Sequence, residues 1–183
     1  MEKIIISTGG TGGHVVPAQV FYEYLVDKNQ VVIVSDKRGI NYLNKKKYKI
    51  KEIDVPKISK NLISFVPFLI FFTCSIIKSY LFLSKKKAKI LITTGGYMSI
   101  PICLAAKTLN IKIFLFEPNF VLGRANLFLL NYCEKILTYA KEIKNLPNKK
   151  KHKNYIIKPL IKKSIFLSKR ISGIKLKKFI ILI

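Results

Sequence analysis

Two glycine-rich segments of the chain have the composition of ligand-binding turns. The first is Gly9–Gly13, directly followed by His14, and the second is Gly95–Gly96, followed by Tyr97. Each lies between a short β-branched run and an apolar-periodic stretch, which is the order strand, turn, helix. Glycines let such a turn approach a ligand closely, and free N–H groups at the start of the helix favour a phosphate or diphosphate. The alternative is that each segment is a tight turn without a ligand, and this alternative carries more weight for the second segment than for the first.

The spacing of the first segment argues against two common nucleotide sites. It is not a P-loop, because no Lys-Ser or Lys-Thr pair follows the glycines. It is not a G-x-G-x-x-G dinucleotide fingerprint, because Val15 stands where the last glycine belongs. A phosphate-bearing ligand of another kind is therefore expected.

Three polar residues are predicted to lie at the same edge as the glycines. His14 at the start of a helix can act as a general base, although a structural histidine is the alternative. Glu117 and Asn119 follow another strand. A carboxylate beside a predicted phosphate site needs a reason, and the binding of sugar hydroxyls would supply one. The alternative for that segment is a turn in which the asparagine caps the next helix. The second histidine, His152, lies in a run of lysines and is expected to be solvated.

The order of elements predicts a parallel α/β sheet with helices on both faces. Ligands of such sheets bind beyond the carboxyl ends of the strands, where both glycine segments fall. The predicted strands are Lys3–Thr8, Gln30–Val34, Lys49–Val55, Lys89–Thr93, Lys112–Phe116, Lys135–Thr138 and Tyr155–Ile157. The predicted helices include Pro17–Asp27, Ile100–Leu109 and Arg124–Leu130.

Composition narrows the possible partners. The net charge is +25, but the basic residues are 31 Lys and only 3 Arg. Dedicated nucleic-acid surfaces rely on Arg for bidentate contacts, so a lysine-rich solvated surface or attraction to anionic lipid is favoured over nucleic acid. No cysteine spacing or carboxylate pair indicates a metal or a cofactor. The three cysteines predict buried thiols in a reducing compartment; they are Cys74, Cys103 and Cys133.

The most hydrophobic stretch of the chain is Leu62–Leu83. Pro67 interrupts it, lysines flank both ends, and a membrane span would put strands of one sheet on opposite sides of the bilayer. We expect instead a helix from near Pro67 that packs one face on the sheet and dips the other into a membrane surface. A wholly buried helix is the alternative. The predicted membrane-contact residues are Phe65, Phe68, Leu69 and Phe72.

Three motifs together resemble the N-terminal domain of the MurG family. They are GGTGGHVVPA at 9–18, TGGYMSIP at 94–101 and E-x-N-x-x-x-G-x-x-N at 117–126. The resemblance implies a Rossmann-like domain that forms the N-terminal half of a GT-B glycosyltransferase. It further implies transfer of GlcNAc from UDP-GlcNAc to the lipid-linked acceptor lipid I, which forms lipid II in peptidoglycan synthesis. The site of action would be the cytoplasmic face of the inner membrane.

The resemblance also implies roles for individual residues. His14 would be the base on the acceptor hydroxyl, with Glu117 as the second catalytic residue. No metal or cofactor is implied, and the partners would be the two substrates, the anionic cytoplasmic leaflet and a donor domain, but not nucleic acid. The implied substrate-binding residues are Thr11, Gly12, Gly13, Gly95, Gly96, Tyr97, Asn119 and Asn126.

The chain departs from the family pattern in two segments. Phe116 and Pro118 replace the first and third residues of the usual His-Glu-Gln-Asn. Residues 157–161 replace the usual Gly-Asn-Pro-Val-Arg, so the donor-binding arginine of that motif is absent there.

The C-terminal part of the chain is strongly basic. We expect an acceptor- and membrane-binding domain over 1–140, a basic linker over 141–176, and the first strand of a missing donor domain over 177–183. Because the donor domain would be missing, we expect the chain to be inactive alone. A non-catalytic membrane-binding remnant and the acceptor subunit of a split glycosyltransferase are the alternatives.

Overall fold

One parallel sheet with helices on both faces forms the described part of the chain. A computed structural model describes residues 1–56 and 65–163. The strands are β1 (Lys3–Ser7), β2 (Gln30–Ser35), β3 (Ile50–Glu52), β4 (Ile90–Thr93), β5 (Lys112–Glu117), β6 (Lys135–Thr138) and β7 (Asn154–Ile156). The helices are α1 (Gly12–Leu25), α2 (Lys37–Ile40), α3 (Phe65–Lys86), α4 (Ser99–Thr108) and α5 (Arg124–Leu129), with a 3-10 helix at Asn148–Lys153.

The order of the strands contains a switch point between β1 and β4, where the chain stops adding strands on one side of β1 and continues on the other. All neighbouring pairs are parallel, and the order is β3-β2-β1-β4-β5-β6-β7. The chain builds outward from β1 to β3 and then crosses back to β4. The register puts Ser7 beside Thr93, so each glycine segment begins two residues beyond this pair. The predicted parallel α/β sheet is confirmed, with both segments at the switch point where such folds bind ligands.

Apolar residues on the two faces of the sheet form two cores. Helices α3, α4 and α5 cover one face, and their buried residues include Leu83, Ile102 and Leu129. Helix α1 covers the other face, where the rings of Phe21 and Phe116 meet edge to face with centroids 5.3 Å apart. Phe116 is fully buried in this second core, so the residue that replaces the family's usual histidine serves packing.

Helix α1 begins five residues earlier than predicted. Gly12 is its first residue and Pro17 lies inside it, so the predicted start at Pro17 is wrong. Glycine and proline usually mark a turn, but Gly12 and Gly13 do not have positive φ, unlike Gly9 and Gly10. The earlier start brings Gly12, Gly13 and His14 into the first turn of the helix.

Helix α3 has one buried and one exposed side, although apolar residues occur all around it. Ser75, Ser79 and Leu83 recur every four residues and are buried, and the Ser75 hydroxyl donates to the carbonyl oxygen of Asp54 at 2.8 Å. It is the one described helix long and apolar enough to cross a membrane. We call its exposed apolar residues the outer face of α3; they are Phe65, Val66, Leu69, Ile70, Phe71, Ile77, Tyr80 and Leu81.

The predicted membrane contacts of α3 fall in two groups. Phe65 and Leu69 belong to the outer face. Phe68 and Phe72 are half-buried, because they lie on the side of the helix that turns toward Tyr97.

The cysteines do not all lie in the core. Cys103 and Cys133 are buried as predicted, and burial raises the pKa of the Cys103 thiol. Cys74 is exposed, so its predicted burial is wrong. It directly precedes buried Ser75 on α3, and adjacent residues of a helix point in directions about 100° apart.

The chain continues the sheet beyond residue 140. β7 pairs with β6, and the following residues pack back over α1. The Tyr24 hydroxyl donates to the carbonyl oxygen of Ile161 at 3.1 Å, and the backbone N–H of Lys163 donates to Glu23 at 3.3 Å. These residues belong to the segment predicted as a linker. The strand predicted over 177–183 lies outside the described residues.

Candidate active site at the switch point of the sheet

A cleft of about 540 Å³ opens beyond the carboxyl ends of β4 and β5, beside the first turn of α1. It is built from the second glycine segment, the loop after β5 and the start of α5, with one side chain from α1. Its lining residues are His14, Thr94, Gly95, Gly96, Tyr97, Ile100, Glu117, Asn119, Gly123, Arg124, Ala125, Asn126 and Phe128.

The orientation of the His14 ring is fixed by the backbone after β4. Its Nδ1 atom lies 2.8 Å from the carbonyl oxygen of Thr94. A carbonyl oxygen only accepts hydrogen bonds, so in the neutral imidazole Nδ1 carries the hydrogen and Nε2 keeps its lone pair. The geometry therefore leaves a proton acceptor on the opposite side of the ring.

The second glycine segment forms the seat of this ring. Gly95 and Gly96 have φ values of 88° and 84°, a conformation that favours glycine. A Cβ atom at either position would lie 3.5 Å from the nearest atom of the His14 ring. That distance is an ordinary van der Waals contact, so it is the positive φ of the turn, rather than the packing against the imidazole, that requires the two glycines.

Asp36 holds the first glycine segment in place. It is buried at the end of β2, and its Oδ1 atom accepts hydrogen bonds from the backbone N–H groups of Gly10 and Gly39, each at 2.9 Å. Burial would raise the pKa of Asp36, but these hydrogen bonds and the neighbouring Arg38 guanidinium lower it below the usual value. The sequence analysis missed Asp36. An Asp that ends a strand before a short helix is an N-cap pattern that could have identified it.

The first turn of α1 offers two free backbone donors, because the N–H groups of Gly12 and Gly13 make no hydrogen bond within residues 1–56 and 65–163. Its N-cap residue, Thr11, makes no side-chain capping hydrogen bond, and the first N–H groups of a helix have no intrahelical acceptor. A Cβ atom at Gly13 would meet only the Thr11 Oγ1 atom, at 3.8 Å, and one at Gly12 would meet only the Tyr42 ring, at 3.6 Å. Packing therefore does not require glycine at either position. Thr11, Gly12 and Gly13 precede His14 in the chain and lie outside the lining of the cleft.

Glu117 organises the loop between β5 and α5. Its side chain is buried. Oε1 accepts from the Asn119 side-chain amide at 2.8 Å, and Oε2 accepts from the Gly123 backbone N–H at 2.8 Å and from the Asn126 amide at 3.1 Å. The N-cap position of α5 belongs to Gly123, so the alternative in which Asn119 caps this helix is wrong.

Two polar atoms near the cleft lack a hydrogen-bond partner among the described residues. They are the side-chain oxygen of Asn126 and the hydroxyl of Tyr97. The Asn126 amide nitrogen is fully used, because it donates to the Phe116 carbonyl and to Glu117, each at 3.1 Å. Burial raises the pKa of Tyr97 to about 12, so its hydroxyl stays protonated at neutral pH. Buried polar atoms are rarely left unpaired, and both residues line the cleft, which marks this part of it as a candidate polar binding site.

Arg124 is a cleft residue that the sequence analysis did not select. It is the first residue of α5, lines the cleft and is exposed. No ion-pair partner for its guanidinium occurs in residues 1–56 or 65–163. Its place directly after Gly123, at the start of a helix that follows a strand and a loop, is the signal that could have found it.

A column of aromatic rings connects α3 to the cleft. Ring centroids are 6.5 Å apart between Phe65 and Phe68, 5.6 Å between Phe68 and Phe72, and 6.1 Å between Phe72 and Tyr97. The apolar helix and the polar cleft are therefore adjacent parts of one surface.

The fold and the cleft define the class of the protein. Residues 4–138 match the glycosyltransferase family 28 N-terminal domain, and the chain belongs to this family. The architecture is the N-terminal half of the GT-B fold, as predicted. A crystal structure of MurG from Acinetobacter baumannii superposes with a TM-score of 0.71 over 85% of this chain and 45% of that one, at 22% identity, which shows a shared fold.

Curated relatives give the more particular likeness, and they confirm the predicted MurG family. The chain is 50% identical over 165 residues to the UDP-N-acetylglucosamine–N-acetylmuramyl-(pentapeptide) pyrophosphoryl-undecaprenol N-acetylglucosamine transferase of Pelagibacter ubique, covering 90% of this chain and 46% of the relative. The transferase of the same name from Rickettsia prowazekii is 35% identical, with 90% and 42% covered. The chain thus spans about half the length of the curated relatives it matches.

Proposed function

We propose that this chain supplies the acceptor-binding half of a glycosyltransferase that transfers GlcNAc from UDP-GlcNAc to lipid I and so forms lipid II. The observation that carries the proposal is the cleft at the switch point, where an oriented imidazole lies beside unpaired polar atoms. The names of the relatives in Pelagibacter and Rickettsia support the choice of substrates.

The diphosphate of the acceptor binds near the two glycine segments. The first turn of α1 directs backbone N–H groups toward it, and the glycines at 12 and 13 keep that approach free of side chains. Arg124 adds a positive charge from across the cleft, and a guanidinium binds phosphate oxygens with directed hydrogen bonds.

The reaction is an inverting displacement at the anomeric carbon of GlcNAc. The acceptor hydroxyl forms the new bond to this carbon as the bond to the UDP oxygen breaks. His14 takes the hydroxyl proton at Nε2, while its Nδ1–H stays bonded to Thr94. Asn126 and Tyr97, which line the cleft, hold the acceptor sugar in position, and the donor half stabilises the charge on the departing UDP.

Glu117 acts in this scheme through other residues. Its oxygens accept hydrogen bonds from Asn119, Gly123 and Asn126. We therefore assign it as a positioning residue that orients Asn126, in place of the catalytic role implied by the family resemblance.

The outer face of α3 rests on the cytoplasmic leaflet of the inner membrane. Its apolar residues are exposed, lysines follow at its C-terminal end, and the chain carries a net charge of +25. Apolar insertion and attraction to anionic lipid act together in such contacts. The aromatic column places this surface next to the cleft that takes the lipid-linked acceptor.

A fusion to a donor half tests the proposed reaction. Residues 1–183 are joined to the part of the Pelagibacter relative beyond the matched region, and lipid II is measured from lipid I and UDP-GlcNAc. We expect turnover on the order of 1 to 10 per second from the fusion, a common enzyme rate, and none from the 183 residues alone.

Residues 1–183 without the donor half are the control for this assay. Equal turnover by residues 1–183 alone would contradict the division of labour between the halves. A fusion that binds both substrates but forms no lipid II would favour the non-catalytic membrane-binding alternative.

A further inference from the structure

The chain after β7 is tied to helix α1 at several points. We call residues 157–163 the strap. The Tyr24 hydroxyl donates to the carbonyl oxygen of Ile161 at 3.1 Å, and the Lys163 ammonium group pairs with the Asp27 carboxylate at 2.7 Å. The same ammonium group lies over the Tyr24 ring, 5.6 Å from its centroid. These contacts join residues 136 or 137 positions apart in the chain, so they arise from tertiary docking of the strap.

A buried carboxylate of α1 anchors the end of the strap. The Oε2 atom of Glu23 accepts from the backbone N–H of Lys163 at 3.3 Å. Its Oε1 atom accepts from the Lys47 ammonium group and from the Tyr48 hydroxyl. Burial would raise the pKa of Glu23, but these hydrogen bonds together lower it below its usual value. The carboxylate is therefore ionised at neutral pH and directs one oxygen toward the strap.

The strap also packs on the sheet. Ile157 and Leu160 contact the core on the α1 side of the sheet. The backbone N–H of Leu160 donates to the Tyr139 hydroxyl at 3.2 Å, and that of Ile157 donates to the Thr138 carbonyl oxygen at 2.8 Å. Apolar and hydrogen-bonding contacts on the sheet therefore hold the strap together with the contacts on α1.

The placement of acidic residues favours a functional docking site for the strap. The chain has only nine Asp and Glu residues against 34 Lys and Arg, yet Glu23 and Asp27 both contact Lys163. Asp27 lies just after the C-terminal end of α1, where the helix dipole favours a cation over an anion. Three of the seven strap residues are lysines, so the strap supplies the positive charge that this end of the helix needs.

We propose that the docked strap fixes the start of the donor half relative to the catalytic base, with Glu23, Tyr24 and Asp27 as positioning residues. The inference rests on the proposed function, because in the fused enzyme every residue of the donor half follows the strap. Helix α1 carries His14 in its first turn and Tyr24 near its end, about 15 Å apart at 1.5 Å per residue. One helix thus joins the base to the segment that leads to the donor sugar, and alignment of the two reactants contributes to the rate.

A charge-reversal cycle tests the docking of the strap in residues 1–183. Asp27→Lys places an ammonium group opposite Lys163, Lys163→Asp does the converse, and the double variant restores an ion pair with exchanged charges. Amide hydrogen exchange of Leu160 is followed by NMR, because local opening of the strap frees this N–H group from the Tyr139 hydroxyl. We expect exchange roughly three- to tenfold faster in each single variant, the scale of an exposed ion pair, and within about twofold of the unmodified chain in the double variant.

The fused enzyme tests what the docking does for the reaction. Sugar transfer is measured in a single turnover, and the affinity for diphosphate-linked N-acetylmuramyl-pentapeptide with a short prenyl chain is measured separately. We expect the rate constant of each single variant to fall at least about threefold, because a released strap lets the donor half leave its productive position. The acceptor affinity should stay within about twofold, and the double variant should recover the rate. A contact that only stabilises the fold would change the free energy of unfolding and leave the rate constant unchanged.

The ion pair between Lys37 and Asp54 offers a matched control, because it is exposed and does not involve the strap. Lys37→Asp, Asp54→Lys and their combination should leave both the Leu160 exchange and the transfer rate within about twofold. Leu160 exchange that ignores the strap cycle would overturn the docking. An active fusion whose rate ignores the cycle would overturn the positioning role and leave the proposed function intact. If the unmodified fusion forms no lipid II, the proposed function is wrong and the positioning role falls with it.

Discussion

Replacing His14 by alanine is expected to lower sugar transfer by the fused enzyme by roughly two to four orders of magnitude, the usual effect of removing a general base. The reason is the bond from Nδ1 to the Thr94 carbonyl oxygen, which leaves Nε2 as the acceptor for the hydroxyl proton. The measurement is the single-turnover rate at saturating lipid I and UDP-GlcNAc, which separates chemistry from binding.

Two further variants separate the loss of the general base from the loss of the hydrogen bond to Thr94. His14→Asn keeps a short side-chain amide that can donate to Thr94 but cannot accept a proton at neutral pH, so its rate should fall as far as that of His14→Ala. His152→Ala changes the other histidine, which is exposed in the 3-10 helix, and should leave the rate unchanged. A His14→Ala rate within about threefold of the unmodified fusion would exclude general-base catalysis by this residue.

Replacing Glu117 by glutamine is expected to destabilise the chain by about 1 to 3 kcal/mol, the cost of leaving a buried donor without its acceptor. Both carboxylate oxygens accept hydrogen bonds from N–H groups. Whichever way the new amide points, its NH₂ group faces at least one of those donors. The free energy of unfolding in urea measures the effect.

A matched exposed carboxylate controls for the charge change at Glu117. Glu134→Gln lies on the surface after α5 and should change stability by no more than about 0.5 kcal/mol. In the fused enzyme, Glu117→Gln should also raise the KM for lipid I, since Asn126 loses its orienting partner. If Glu117→Gln left the stability unchanged but abolished sugar transfer, Glu117 would instead take part directly in the reaction.

The proximity of the two glycine segments could be predicted from the sequence because it depends on short-range patterns. β-Branched runs predict β1 and β4 to within about a residue, and parallel strands bring their carboxyl ends to one edge. His14 and the turn at Gly95 were therefore expected to be neighbours, and the structure places them in contact.

Contacts between distant segments could not be predicted in the same way. Asp36 supports Gly10 across 26 residues of chain, and this pairing depends on the neighbouring positions of β1 and β2. Glu117 accepts from the backbone N–H of Asn119 as well as from the three donors described above, and these four donors meet only once the loop before α5 has folded. The exposure of Cys74 depends on the rotation of α3 about its axis, and a helix that buries serines while it exposes phenylalanines gives little indication of that rotation.

The affinity for a lipid-linked diphosphate sugar tests the proposed acceptor site most directly. The ligand is diphosphate-linked N-acetylmuramyl-pentapeptide with a short prenyl chain, titrated into the unmodified chain and into Gly13→Ala. Packing leaves room for the added methyl group, so the free energy of unfolding should stay the same or rise by up to about 1 kcal/mol, as for a glycine replaced within a helix. We expect the affinity to fall at least about tenfold, because the methyl group blocks the approach of the diphosphate to the helix N-terminus. Equal affinities of the two proteins, or no binding by the unmodified chain, would contradict a diphosphate site at this turn.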